Sequence, residues 1–181
     1  MPSLRSGRDL ELRPLRLADA SALFALVDAD RERLRRWLPW VDENTRVAHT
    51  RAYIRARQAR GLTFGLWWKG SLGGVVGLHS FSPEHDSAAI GYWLASRLEG
   101  QGLMTRAVAR LLEHALGELK LHRIELRAAV RNRPSRALAE RVGFRHEGTA
   151  KGALKLRGTF VDHAVYALVA EDWLTRPRPR R

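Results

Sequence analysis

Apolar residues occur in short runs along this chain, and their spacing separates strand from helix. Leu10, Leu12, Leu15 and Leu17 alternate with charged residues apart from a slip at Arg13-Pro14, which predicts an edge strand bulged at the proline. Asp19 precedes Ala20, Leu23, Phe24 and Val27 at helical spacing and is placed as a helix cap. A second short helix is expected over 31–37, stopped by Pro39, and a third over 46–60, opened by Asn44-Thr45 and ended by Gly61. Strands over 62–68 and 72–81 follow, joined hairpin-fashion at Lys69-Gly70-Ser71. A turn at 83–86 leads into a strand over 88–94.

Met104, Val108, Leu111, Leu112, Ala115 and Leu119 then form one helical stripe. The 122–130 segment alternates cleanly, with Ile124, Leu126, Ala128 and Val130 on one face and Glu125 and Arg127 on the other. Asn132 and Pro134 start another helix that turns Leu138 and Val142 inward and stops at Gly143. Final strands are expected over 144–149 and 159–170. The order β-α-α-α-β-β-β-α-β-α-β-β predicts an α/β fold in one domain. Its mixed sheet would be antiparallel where turns are short and parallel across the two later helices. Residues 1–9 read as a flexible N-terminus, 10–174 as the domain and 175–181 as a basic tail.

The most informative stretch joins the 88–94 strand to the helix after it, through Glu99-Gly100-Gln101-Gly102. A strand, a glycine turn and a helix start leave outward backbone N–H groups, a receptor for phosphate. Neither common phosphate signature fits. A Walker loop needs Lys-Ser/Thr where Leu103-Met104 stand, and a Rossmann turn needs a third glycine where Thr105-Arg106 follow.

Composition adds exclusions. The 181 residues contain no cysteine, which removes disulfides, thiolate metal sites and a cysteine nucleophile. The histidine spacings do not suggest a metal site. The N-terminal residues lack a leader-like apolar stretch, so a cytoplasmic, membrane-free protein is expected. The net charge of +13 comes from 32 Lys+Arg against 19 Asp+Glu. It favours anionic partners, although a solvated basic surface accounts for it equally well. Without interleaved aromatic and basic residues, nucleic acid is not an expected partner.

Taken together, Gly91-Tyr-Trp-Leu94, Gly100-Gln-Gly-Leu-Met-Thr-Arg-Ala107, Arg131-Asn-Arg-Pro-Ser-Arg-Ala-Leu-Ala-Glu-Arg-Val-Gly-Phe144 and Gly158-Thr-Phe-Val-Asp-His-Ala-Val-Tyr166 resemble the GNAT acetyltransferase superfamily. Within it, the chain looks like the branch that acetylates the N-terminal amine of ribosomal proteins. The resemblance implies that the fourth and fifth predicted strands splay like a V and hold acetyl-CoA. Its pantetheine arm would pair near Trp93 and Leu94. Its pyrophosphate would rest on Gly100, Gln101, Gly102, Leu103, Met104 and Thr105, with Asn132 and Ser135 also touching the cofactor. Glu99 stands where the superfamily has Gln or Arg, a repulsive neighbour for phosphate that Arg97 or Arg106 would offset.

Many members take the thiolate's proton from a tyrosine seven residues past the motif asparagine. Here that position is Ala139, so the resemblance moves the acid to Ser135, whose alternative role is a helix cap. The branch's glutamate base is replaced by Leu154, leaving Glu147, His79, His85, His163 or a water chain. Trp37 and Trp40 are expected to wall the acceptor groove. Tyr166 either lines it or is a buried strand tyrosine, and one of Trp67 and Trp68 would face the core, the other a dimer contact. The expected function is acetyl transfer from acetyl-CoA to a primary amine, most plainly a protein N-terminus with an acidic surface, in a possible homodimer. The alternatives are a small-molecule amine acetyltransferase and a weakly catalytic CoA-binding or ribosome-associated module.

Overall fold

The leucine alternation near the start of the chain forms a strand pair. The computed structural model describes residues 3–58 and 62–176. In it, β1 (Leu4–Ser6) pairs antiparallel with β2 (Leu10–Pro14), setting Leu4 opposite Leu12, both buried. Part of the segment expected to be flexible is therefore a strand. Its apolar pattern is a single leucine, too short to show periodicity. β2 is not an edge, and it is not bulged: its register with β3 (Thr63–Trp68) runs unbroken from Leu10 opposite Trp68 to Pro14 opposite Phe64. The proline ends the strand, where its missing N–H costs no ladder bond.

After a 3-10 turn, α1 (Ala20–Ala29) buries Ala20, Leu23 and Val27. Asp19 does not cap α1. Its carboxylate accepts the Arg16 N–H at 2.8 Å and closes the preceding turn instead. α2 (Arg31–Leu34) is shorter than expected, and a further turn at Pro39–Val41 follows. α3 (Val47–Gln58) is rich in arginine and turns two residues inward, Thr50 to Asn44 and Ile54 into the apolar cluster it shares with α1. Burying an isoleucine such as Ile54 contributes about 1.5–3 kcal/mol. The expected end of this helix at Gly61 lies outside the described residues.

β3 and β4 (Ser71–Ser82) form the expected hairpin, with Lys69 and Gly70 both at positive φ. Next come β5 (Ser87–Leu94), α4 (Leu103–Leu112) with a π-helical extension to Glu118, β6 (Arg123–Ala129) and α5 (Arg133–Val142). Leu119 and Val130 lie past their elements, 40% and 36% exposed, so neither joins its expected apolar face. β7 (Arg145–Leu156) is twice as long as its short apolar run suggested. β8 (Thr159–Val169) ends one residue early, and a short α6 (Ala170–Thr175) closes the described chain, anchored by Trp173.

The sheet order is β1-β2-β3-β4-β5-β6-β8-β7. Among the described strands only β5 and β6 pair in parallel, because β8 inserts antiparallel between β6 and β7. The second crossover therefore does not make a parallel neighbour, contrary to the order-based expectation. Two cores result. On one face α4 and α5 pack over the sheet through Val108, Leu111, Leu138 and Val142; on the other, α1–α3 cover Leu72, Val75 and Trp93.

One irregularity positions the site. β5 and β6 pair only from Ser87 opposite Arg123 to Ile90 opposite Leu126. Beyond this, Gly91–Leu94 stay with β4 while Arg127–Ala129 stay with β8, so the two strands part. Past the parting, the β7–β8 hairpin projects until Arg157 at its tip donates to the Arg35 carbonyl at the end of α2.

Candidate functional site

The loop leaving β5 ends in Gly102, whose φ of 71° is left-handed and favours a residue without Cβ. The first ladder bond of α4 runs from Arg106 N–H to the Gly102 carbonyl at 3.0 Å. The amides of Gly100, Gln101, Gly102, Leu103, Met104 and Thr105 have no acceptor among the described residues. These donors, at the positive end of a ten-residue helix beside the parted strands, fit a diphosphate.

Glu99 is neutralised by a residue the sequence did not single out. Arg33 donates from Nη1 to Glu99 Oε1 at 2.5 Å and from Nη2 to the Leu94 carbonyl at 2.6 Å and Asp30 Oδ2 at 2.8 Å. Asp30 also accepts from the Ser96 amide and hydroxyl, tying the α1–α2 junction to the loop. Arg97 and Arg106, the expected partners, are occupied elsewhere. Arg97 bonds the Leu72 carbonyl, and Arg106 is held by Asp9 at 2.6 Å and by the Ser6 carbonyl. A second unforeseen cation, Arg141 of α5, reaches Thr105 Oγ1 at 3.3 Å and adds positive charge beside the free amides.

On the α5 side of the gap, Asn132 Oδ1 accepts the Ser135 N–H at 3.3 Å and caps the helix. Ser135 is thus not the cap. Its Oγ lies 2.9 Å from the hydroxyl of Tyr92, in the part of β5 that β6 has left. Burial pushes the Tyr92 phenol up to about 12, so it keeps its proton at neutral pH. Sequence reasoning missed Tyr92, although alternation with Ile90 and Leu94 puts it on the α4–α5 face.

The remaining candidates separate by position. Glu147 is clamped by Arg123 at 2.9 and 2.5 Å, at the closed end of the gap, and Arg123 holds its carboxyl below the usual range. His85 lies in the turn before β5, at the same closed end. His79 stands opposite Ala89, and its Nε2 lies where a Cβ on Gly91 would meet it at 3.2 Å, at the start of the parting. His163 lies opposite Ala129 on the other arm. Burial, then Arg57 for His79 and Arg127 for His163, lowers both imidazoles, favouring the neutral form. Ala139 is buried and Leu154 faces Val161.

Tyr166 is fully buried and does not line the gap: its hydroxyl donates to Glu140 at 2.9 Å and accepts from Arg136 at 3.0 Å. Trp93 turns its ring to the opposite sheet face from Tyr92, 6.4 Å from that of Trp40. Both border a cavity of about 540 Å³. Trp37 is half-buried nearby in sequence but does not border it. Trp67 and Trp68 pack against the two different cores, Trp67 under the Arg13 guanidinium, so the reverse-face ring is covered from within the chain. A further cavity of about 540 Å³ lies over β2 and β3, lined by Arg13, Arg57 and Trp67, two strands from the gap.

Free helix-start amides below two parted strands are the arrangement that the resemblance to coenzyme A-dependent acyltransferases leads one to expect. The family model described as acetyltransferase (GNAT) domain matches residues 9–145, and the chain belongs to that family. It is 35% identical over 179 residues to a putative ribosomal N-acetyltransferase, YdaF, of Bacillus subtilis (strain 168), covering 96% of this chain and 98% of the relative. Among solved structures, it is similar to RimL, a ribosomal L7/L12 alpha-N-protein acetyltransferase in complex with coenzyme A. That match has a TM-score of 0.89 and 28% identity, and covers 93% of this chain and 98% of the other. It also resembles the microcin C7 self-immunity acetyltransferase MccE in complex with acetyl-CoA and AMP, with a TM-score of 0.85 and 25% identity over 90% and 93% of the chains. This protein is an N-acetyltransferase with acetyl-CoA as cosubstrate. Among the described residues no helix is long and apolar enough to cross a membrane.

Proposed function

We propose that the enzyme acetylates the N-terminal α-amine of a protein, with ribosomal proteins as acceptors. The observation that carries this reading is the end-to-end similarity to the putative ribosomal acetyltransferase, 96% and 98% of the two chains. The net charge of +13 supports steering toward an acidic acceptor surface. The likeness to MccE, bound to acetyl-CoA and AMP, favours a second reading in which the amine belongs to a small molecule.

Bound acetyl-CoA supplies the acetyl group as a thioester, held by the amides of Gly100 to Thr105. Transfer is direct, since the chain has no cysteine to carry the acetyl group. An α-amine has a pKa near ~8, so a weak base suffices to free its lone pair. His79 is the base candidate at the parting of the strands, directly or through water. As the N–C bond forms and the C–S bond breaks, the amine's proton passes to this base, and Ser135 passes a proton to the sulfur, its own being replaced from solvent as the base releases its proton there. Tyr92, protonated and 2.9 Å away, orients that hydroxyl.

Thiol release with N-terminal peptides and free amines, followed by mass spectrometry of the product, tests the acceptor. Acetylation confined to small amines would remove the protein-terminus reading. Ser135→Ala should lower kcat about 100-fold or more, the usual contribution of a positioned acid, while acetyl-CoA affinity stays within about threefold. An unchanged kcat would take Ser135 out of the chemistry.

A further inference from the structure

The cavity behind Trp93 offers an occupant very little polar contact. Its walls are Leu23, Val27, Trp40, Tyr53 and Trp93, in a volume of about 540 Å³. Of the buried polar pair that borders it, Thr50 Oγ1 donates to Asn44 Oδ1 at 2.9 Å, which engages the hydroxyl and the amide oxygen. His49 is likewise engaged, by Arg46 Nε at 2.8 Å. The bordering carboxylate, Glu43, has no hydrogen-bond or ion-pair partner among the described residues, whereas its neighbour Asp42 is paired with Arg35. Apolar walls, two aromatic rings tilted 50° to each other and one uncommitted carboxylate at the exposed rim match a flat apolar group attached to a cation.

Position links this chemistry to the reaction. Trp93 belongs to the part of β5 from which β6 has withdrawn, and the cavity lies on the opposite sheet face from Tyr92 and Ser135. An amine reaches neutral water as ammonium, and Glu43 complements that charge during approach. We infer that the Trp40–Tyr53–Trp93 cavity is a selectivity pocket for a bulky apolar, preferably aromatic, group adjacent to the acceptor's amine. The inference rests on the acetyl-transfer reading of the gap and narrows the acceptor class. It also limits the acidic preference suggested by overall charge: acidic residues on an acceptor belong away from this rim, where Glu43 would repel them.

Two acceptor series test it, with kcat/KM read by thiol release. One is a set of peptides that vary only in the side chain beside the N-terminal amine, from glycine through leucine to phenylalanine. The other pairs ethylamine with phenethylamine. Burying one such apolar group predicts about a ten- to hundredfold preference for the bulky member. Trp40→Ala, at a position already 37% exposed, should collapse that ratio to within about threefold while calorimetric acetyl-CoA affinity is retained. Glu43→Lys should lower kcat/KM for every cationic acceptor and leave the apolar ratio in place. If peptides fail and phenethylamine outruns ethylamine, the protein-terminus reading falls and the pocket stands. Equal rates across every series the enzyme accepts, or a Trp40→Ala enzyme with the wild-type ratio, would overturn the pocket. Should Trp40→Ala not fold, Trp40→Leu reports the same ratio.

Discussion

Replacing Gly102 with valine separates the cost of a backbone conformation from the loss of a phosphate site. A Cβ at Gly102 meets no protein atom within 4 Å, so the substitution clashes with nothing already present. Its φ of 71° costs a residue with a Cβ about 1–2 kcal/mol, and somewhat more when that residue is β-branched. If the amides of Gly100 to Thr105 hold the pyrophosphate, the new methyl groups project into that space and break at least one charge-assisted hydrogen bond. Such a bond contributes about 1.5–3 kcal/mol, or roughly a 10- to 150-fold rise in Kd. Gly70 supplies the control. It has φ of 79° and open space for a Cβ, but it turns the β3–β4 hairpin. Gly70→Val should lower the melting temperature comparably and leave acetyl-CoA binding intact. Calorimetry with acetyl-CoA on both folded variants decides the matter. Unchanged affinity in Gly102→Val, or an equal loss in Gly70→Val, would refute the amide site.

Two further outcomes follow from the ion pairs. Arg33→Met leaves the Glu99 carboxylate unpaired beside the phosphate amides and should weaken acetyl-CoA binding about two- to fivefold, the scale of a part-exposed pair. Adding Glu99→Gln should restore it, and a double variant as weak as the single one would locate the Arg33 effect in its Leu94 and Asp30 bonds instead. Asp9, hydrogen-bonded by Arg106 and Trp68, has its carboxyl lowered to about 2. A depressed carboxylate stabilises the fold above its unfolded value of 3.8 and loses that contribution as pH falls toward 2. Acid melts of Asp9→Asn should therefore show a shallower loss of stability between those pH values, and a curve parallel to wild type would remove Asp9 from the acid response.

The elements with sustained periodicity were readable before any coordinates, as Met104 to Ala115 and Ile124 to Ala128 show. The glycine turn was readable too, because φ above zero restricts residue choice. β1 was not, since a single buried leucine has no period, and β7 was not, because most of its length is exposed and polar. The insertion of β8 between β6 and β7 is a tertiary pairing that local sequence does not encode. Asn132 and Ser135, which the structure sets beside the gap, were singled out through the family resemblance. Tyr92 and Arg33 were missed because each acts on a partner distant in sequence, and Tyr166 stayed open between groove and core, the structure burying it, because strand alternation does not say which face is wet.

The bond from Arg157 to the Arg35 carbonyl links the hairpin tip to the helices on the other side of the gap. Parted strands alone make a notch that any protruding loop could slide into from the side. With the hairpin tip bonded to the end of α2, one exposed hydrogen bond bridges that side of the notch, and a slender group with a free end passes it more readily than a bulky loop. A chain terminus, a small amine or an extended side chain meets that condition.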